Sequence, residues 1–250
     1  MPLSAINHGR PLVLIDACEE TPTFDTVNFP NEDGARAAVQ HLIECGCHRI
    51  AIVGDGYSPR TELAHVESSS GLRLRGASGA LLDAGLPYDE STNFIGYGSV
   101  SGIEAGHAIA EAMLAVRAQS ADGTAESCSS DATQAEGSTP AIDGIFCIND
   151  YAAFGVIRGL ADYGIRVPDD VRVIGFDGST AGSYTTPTLS TVQVDLDQLA
   201  QFALDMITRR VEQRDQGDGR SDESAGMPAT RATIGYTLVP RESTVGSANR

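Results

Sequence analysis

From Pro11 onward the chain alternates short, continuously apolar runs with longer segments in which apolar residues recur every three or four positions. The first run, PLVLID (Pro11 to Asp16), shows no polar alternation and ends in a carboxylate, which predicts a strand buried on both faces. The segment NEDGARAAVQHLIECG reads as a helix. Asn31 stands at a capping position, Glu32 and Asp33 suit the positive end, Ala35, Val39, Leu42 and Ile43 form one stripe, and Gly46 supplies the stop. The cycle then repeats: strand RIAIVGD (Arg49 to Asp55), a helix from about Leu72 to Ala84 closed by Gly85, strand NFIGYG, and a helix from about Ser101 to Val116. Strand GIFCIN, a helix from Tyr151 to about Tyr163 closed by Gly164, strands VRVIGFD and LSTVQVD, a helix from Leu196 to about Glu212 and a final strand ATIGYTLV complete it. Strands alternating with helices imply an α/β fold, a mostly parallel sheet covered on both faces.

Two stretches break the pattern. Ala118 to Thr139 is Ser, Ala, Thr, Gly and acid with almost nothing to bury, and Gln213 to Ala229 is similar, so both are expected to be disordered. No run of apolar residues is long enough to span a membrane, and the opening MPLSAINHGR lacks the layout of an export signal, so the expected location is the cytoplasm. Five cysteines, an odd number without a CxxC pair, argue against a disulfide framework and against a zinc site. The formal net charge of −17 changes the picture most: a surface that grips phosphates releases counterions through a basic face, which this chain is poorly equipped to build.

In open parallel sheets, ligands sit beyond the carboxyl ends of the strands. Here those ends carry Asp16, Asp55, Tyr97, Asn149-Asp150 and Asp177. Each has a structural reading as well: Asn149 or Asp150 as a helix cap, Asp177 as a turn former, Asp16 and Asp55 in loops, Tyr97 as core packing. Arg60 and Arg73 flank the loop that opens the helix GLRLRGASGALLDAG, where a guanidinium can bridge two acceptors or simply face solvent. Carboxylate, carboxamide and guanidinium groups around an aromatic plate suit a small polyhydroxylated ligand. Nucleophile-elbow, zincin, P-loop and EF-hand patterns are missing from the sequence. Gly96-Tyr97-Gly98 is a loose cousin of the dinucleotide fingerprint, but the acidic partner expected about 20 residues on would be Asp122, inside the stretch expected to be disordered. No catalytic residue, metal or cofactor is therefore expected, and no enzymatic activity.

The stretches RPLVLID, VNFPNEDGARAAVQHLIECGCHRIAIVG, RLRGASGALLDAGLP, GIFCINDYAAFGVIRGLADYGIRVPDDVRVIGFDGS, TPTLSTVQVDLDQLAQFALDMI and LVPREST, in that order, resemble the effector-binding region of the lactose-repressor (LacI/GalR) family of bacterial transcription regulators. The resemblance implies a periplasmic-binding-protein-like α/β fold, with two lobes closing on a sugar or related metabolite. It implies effector contacts at Arg73, Asn149, Asp177, Tyr97 and Leu196, with Arg60 as a further candidate, and a homodimer that meets operator DNA through an N-terminal helix-turn-helix. A solute-binding protein of a transport system is the alternative on the same fold. Because this chain starts about ten residues before RPLVLID, it is expected to be N-terminally truncated, lacking the helix-turn-helix and most of one lobe. The expected division is residues 1–24 as a remnant of the N-terminal lobe, 25–192 as the C-terminal lobe with a disordered insertion at 118–140, 193–216 as a helix of the N-terminal lobe, 217–229 as a linker, and 230–250 as the last strand and tail. The strand at Pro11 to Asp16 is then expected to stand without its neighbours.

Overall fold

The computed structural model describes residues 10–94, 102–122, 142–216 and 228–246. In chain order the elements are β1 (Val13–Ile15), β2 (Asp25–Asn28), α1 (Asn31–Glu44), β3 (Ile50–Val53), α2 (Arg60–Leu63), α3 (Ser69–Asp83), α4 (Glu90–Asn93), α5 (Gly102–Asp122), β4 (Gly144–Cys147), α6 (Asp150–Asp162), β5 (Arg172–Asp177), a 3-10 turn (Thr180–Ser183), β6 (Ser190–Val194), α7 (Leu196–Gln216), β7 (Arg231–Thr233), β8 (Tyr236–Val239) and α8 (Glu242–Val245). The larger sheet has the order β3-β4-β5-β6-β8, parallel except for the β6–β8 pair.

The continuous apolar runs become central strands because both faces of this sheet are covered. In β4, Phe146 packs with α1 and α3 residues such as Leu42 and Leu74, whereas its neighbour Ile145 packs on the opposite face with Ile109 of α5 and Leu160 of α6. Successive side chains of a strand point to opposite faces, so one strand feeds two cores. Each such fully buried side chain contributes roughly 1.5–3 kcal/mol. Helix α3 is capped by Ser68, whose hydroxyl accepts the Gly71 N–H at 3.1 Å. It then lies unusually close to α1: a Cβ on Gly76 would stand 2.0 Å from the Glu32 carbonyl oxygen. That approach brings the N-terminal parts of the two helices, with Arg73 and Asn31, within reach of each other.

Four expectations need correction. The strand at Val13–Ile15 is not without neighbours: it pairs in parallel with β2, which pairs with β7, in a second, three-stranded sheet. β2 has the sequence DTVN, which carries no strand signal, because its first residue is a buried carboxylate. Arg210 of α7 donates to both oxygens of Asp25 at 2.7 Å, and this pairing holds the carboxyl below its ordinary value. ATIGYTLV is not one strand; Arg231–Thr233 joins β2, and Tyr236–Val239 joins β6 after the chain changes sheet around Ile234-Gly235. By hydrogen bonding, then, residues 25–28 and 231–233 belong to the same sheet as β1. Finally, Asn93 ends a short helix instead of opening a strand, and α5 continues through Asp122 into the stretch expected to be disordered. Tyr97, with most of NFIGYG, most of the 118–140 insertion and residues 217–227, lies outside the described residues. Among the described residues no helix is long and apolar enough to cross a membrane.

A methyl group at position 76 has backbone as its obstacle, so α1 and α3 must separate to admit it. Gly76→Ala is expected to cost about 1–3 kcal/mol, a fall in thermal midpoint of roughly 2–4 °C for each kcal/mol in a chain of this size. An unchanged midpoint in a circular-dichroism melt would refute the close contact.

Candidate functional site

Arg73 is the fifth residue of α3 and is 7% exposed. Its side chain runs over the carboxyl end of the larger sheet. Nε donates to Asn31 Oδ1 at 2.8 Å, Nη1 donates to the Ile148 carbonyl just beyond β4, and Nη1 lies 3.2 Å from Asp177 Oδ1 at the end of β5. The guanidinium plane rests 3.9 Å from the centroid of the Phe176 ring. A buried cation is tolerated only when acceptors surround it, and here they come from three separate segments.

A second carboxylate joins through Asn31. Asp16 follows β1, and its Oδ1 accepts the Asn31 Nδ2–H at 2.8 Å and the Phe29 N–H at 3.1 Å, while Oδ2 accepts the Ser69 hydroxyl. Asn31 thus bridges Asp16 and Arg73. Asp16 and Asp177 have φ of 55° and 110°, in the region that residues with a side chain seldom adopt. Burial raises the Asp177 carboxyl above its ordinary range, with Arg73 opposing and Asp16 reinforcing the rise. Burial likewise lowers Arg73, against the pull of Asp177 and Asp16. Both partners shift toward neutrality, so desolvation outweighs their attraction and further hydrogen bonds to either would be favourable. The Asp177 side chain is 47% exposed, and among the described residues neither its Oδ2 nor Arg73 Nη2 has a hydrogen-bond partner. A donor and an acceptor therefore stand side by side, as two neighbouring hydroxyls of one small molecule would require.

The other expected residues are placed less decisively. The Asn149 side chain caps α6, accepting the Ala152 N–H at 2.8 Å, one residue beyond the carbonyl that Arg73 grips. Its neighbour Asp150 is buried and accepts from Thr191 and Ser179. Leu196 is the exposed first residue of α7, and Arg60 is the exposed first residue of α2; no described contact joins either to the Arg73 group. Asn31, Ser69 and Phe176 were missed as members. Asn31 looked like a cap, yet Pro30 occupies the cap position and the Asn31 side chain is free to turn inward. A cavity of about 340 Å³ lies beside the network, lined by Cys18, Asn28, Asn31, Glu67 and Arg75 among others, but not by Arg73, Asn149 or Asp177.

Comparison with known proteins gives a consistent picture. A family model described as "Periplasmic binding protein-like domain" matches residues 39–244. The HTH-type transcriptional regulator CelR of Thermobifida fusca is 30% identical over 204 residues, 80% of this chain and 49% of that protein. Among solved structures, a LacI-family regulator from Sanguibacter keddieii is 28% identical with a TM-score of 0.66, covering 95% of this chain and 75% of that one. A LacI-family regulator from Enterococcus faecium with bound ribose has a TM-score of 0.66 at 22% identity, covering 97% and 76%, a likeness of fold. The chain spans about half the length of the curated relatives it matches.

Asn31 is the joint that can be removed without touching either charge. Asn31→Ala deprives Arg73 Nε and Asp16 Oδ1 of one partner each, and hydrogen bonds to charged groups contribute about 1.5–3 kcal/mol. The urea midpoint should fall accordingly with an unaltered slope; a midpoint equal to that of the unmodified chain would show that the bridge is not formed in solution.

Proposed function

Since the chain belongs to the periplasmic-binding-protein-like family, in the form carried by LacI-type regulators, we propose that Arg73 and Asp177 bind a small polyhydroxylated effector, a carbohydrate. The observation that carries this reading is the open donor–acceptor pair over the strand ends: a buried, preorganised guanidinium beside a half-exposed carboxylate. One group donates to a hydroxyl and the other accepts from its neighbour, and the ligand's hydrogen bonds offset the desolvation of both. Asn149, as a cap one residue from the Arg73 contact, supplies a carboxamide at the rim. Tyr97, Leu196 and Arg60 are further effector contacts in this reading. The ribose found in the Enterococcus faecium structure is a ligand of the proposed kind.

The family is one of regulators, not enzymes. In the whole regulator, effector occupancy would alter operator affinity because the ligand binds two arrangements of the protein unequally. The formal charge of −17 supports leaving the DNA contact to a separate basic segment. Pairing with a second copy is the proposed assembly. The exposed rings of Tyr151 and Tyr184, 85% and 81% accessible, are the kind of side chain interfaces favour. The two-lobe division enters the same proposal, with the crossings between sheets as its boundaries.

The test is a thermal-shift screen of the 250-residue chain against pentoses, hexoses and disaccharides. A ligand at about 100 times its Kd stabilises the native state by about 2.7 kcal/mol. Asp177→Ala should abolish the shift, since it removes the acceptor and leaves the buried Arg73 cation without its carboxylate partner. Arg73→Lys, which keeps the charge but loses the planar fork, should weaken it. A shift of full size in Asp177→Ala would remove this residue from the site.

A further inference from the structure

Two polar residues end the strand GIFC, and only the first is used up as a helix cap. Asp150 is 1% exposed, an expensive place for a carboxylate. Oδ2 accepts the Ser179 backbone N–H at 2.6 Å, and Oδ1 accepts the Thr191 hydroxyl at 2.7 Å. Thr191 Oγ1 in turn accepts the Gly178 N–H at 3.2 Å. The two backbone amides that follow Asp177 are therefore both fastened to Asp150, one directly and one through Thr191. These amides belong to the segment with the unusual backbone, Asp177 at φ 110° and Gly178 at φ 79°. β5 is shaped for the arrangement: a Cβ on Gly175 would stand 2.2 Å from Asp150 Oδ1.

We infer that Asp150 is a positioning residue for the effector site: its carboxylate fixes the Gly178-Ser179 amides and so sets the direction from which Asp177 meets Arg73 and the ligand. This rests on the reading of Arg73 and Asp177 as effector contacts. Holding both amides requires both oxygens as acceptors and a Thr191 hydroxyl that donates to Asp150 while accepting from Gly178. A proton on the carboxyl turns one oxygen into a donor. Either the Ser179 bond is lost, or the Thr191 hydroxyl turns away and its oxygen must accept from Asp150 and Gly178 at once, so that the hold on one of the two amides weakens.

That proton is accessible at moderate acidity. Burial, reinforced by the nearby Asp177 charge, pushes the Asp150 carboxyl from 3.8 up to about 6, against hydrogen bonds that lower it. The titratable groups facing it are Asp177 on β5 and Cys147 on β4, and burial keeps the latter a neutral thiol. Effector affinity is thus full only well above pH 6, where Asp150 is ionised, and falls as the pH drops through about 6. Asp150's contribution to native stability has the opposite sign. The folded state holds this proton more tightly than the unfolded chain, so that contribution is full below 3.8 and is lost as the pH rises through about 6. Loss of affinity on acidification is therefore not a consequence of Asp150-linked unfolding.

The experiment has two readouts on the full chain. In ligand-free protein, the Gly178 and Ser179 amide resonances should titrate together with a midpoint near 6, and Asp150→Asn should abolish that transition. With whichever carbohydrate the screen yields, affinity should drop about tenfold between pH 7.5 and pH 5. In Asp150→Asn it should be about tenfold lower at pH 7.5 and nearly level across the range. Thr191→Val should lose affinity at pH 7.5 and Thr191→Ser should retain it, and these keep the inference testable if Asp150→Asn does not fold. Amides that do not titrate, or a pH dependence of affinity that survives in Asp150→Asn and so belongs to Asp177, overturn the inference while leaving the site itself intact. Failure of every carbohydrate to bind the unmodified chain counts against the effector reading alone, and the amide titration then decides the role of Asp150.

Discussion

A guanidinium taken out of water must find acceptors for its N–H groups, and Arg73 finds them on three stretches that are remote in sequence: Asn31, Ile148 and Asp177. An uncompensated buried charge would cost several kcal/mol, a large part of the stability of a domain this size. The packing of α3 on α1, the parallel register of β4 with β5, and the turn after β5 must therefore all be correct at once for Arg73 to be tolerated. In return the cation is fixed in place, so the proposed effector would meet a donor already oriented, with little ordering left to be done on binding.

The burial is only partly compensated. Asp177 and Arg73 both shift toward their neutral forms, although each is attracted to the other's charge. A pair that existed for stability alone would be better replaced by apolar side chains of similar volume. Retaining it over the ends of strands, half open to solvent at Asp177, makes sense for a site whose remaining hydrogen bonds are made by something that comes and goes.

What was legible in the sequence follows from the same physics. Runs such as IAIV and GIFC identify central strands, because burial on both faces demands unbroken apolar character. Asp177 and Asn149 stood out because polar groups at strand ends collect at one edge of a parallel sheet, although the structure gives Asn149 a cap's hydrogen bond. β2 was not legible: its buried Asp25 depends on Arg210, 185 positions away, and no local pattern encodes such a partner. Asn31 was legible only as a cap, since its bonds to Asp16 and Arg73 cross 15 and 42 positions. Polar residues announce themselves by local spacing, whereas their partners are chosen by the packing of helices and sheets.

Asp16 and Asp177 hold corresponding places in the two sheets. Each ends a strand of a different sheet, each holds a backbone conformation with positive φ, and Asn31 and Arg73 connect them. The chain passes between the two sheets near Phe29-Pro30, again after Val194, where β6 leads through α7 to β7, and a third time near Ile234-Gly235. A polar chain laid across those crossings makes the geometry of each sheet's edge depend on the other. In the proposed reading, a molecule hydrogen-bonded to Arg73 and Asp177 is linked through Asn31 to the end of β1. A regulator needs this kind of arrangement, because a ligand can shift an equilibrium only by contacts that differ between the two states. Contacts that span two separately built edges differ as soon as one edge moves.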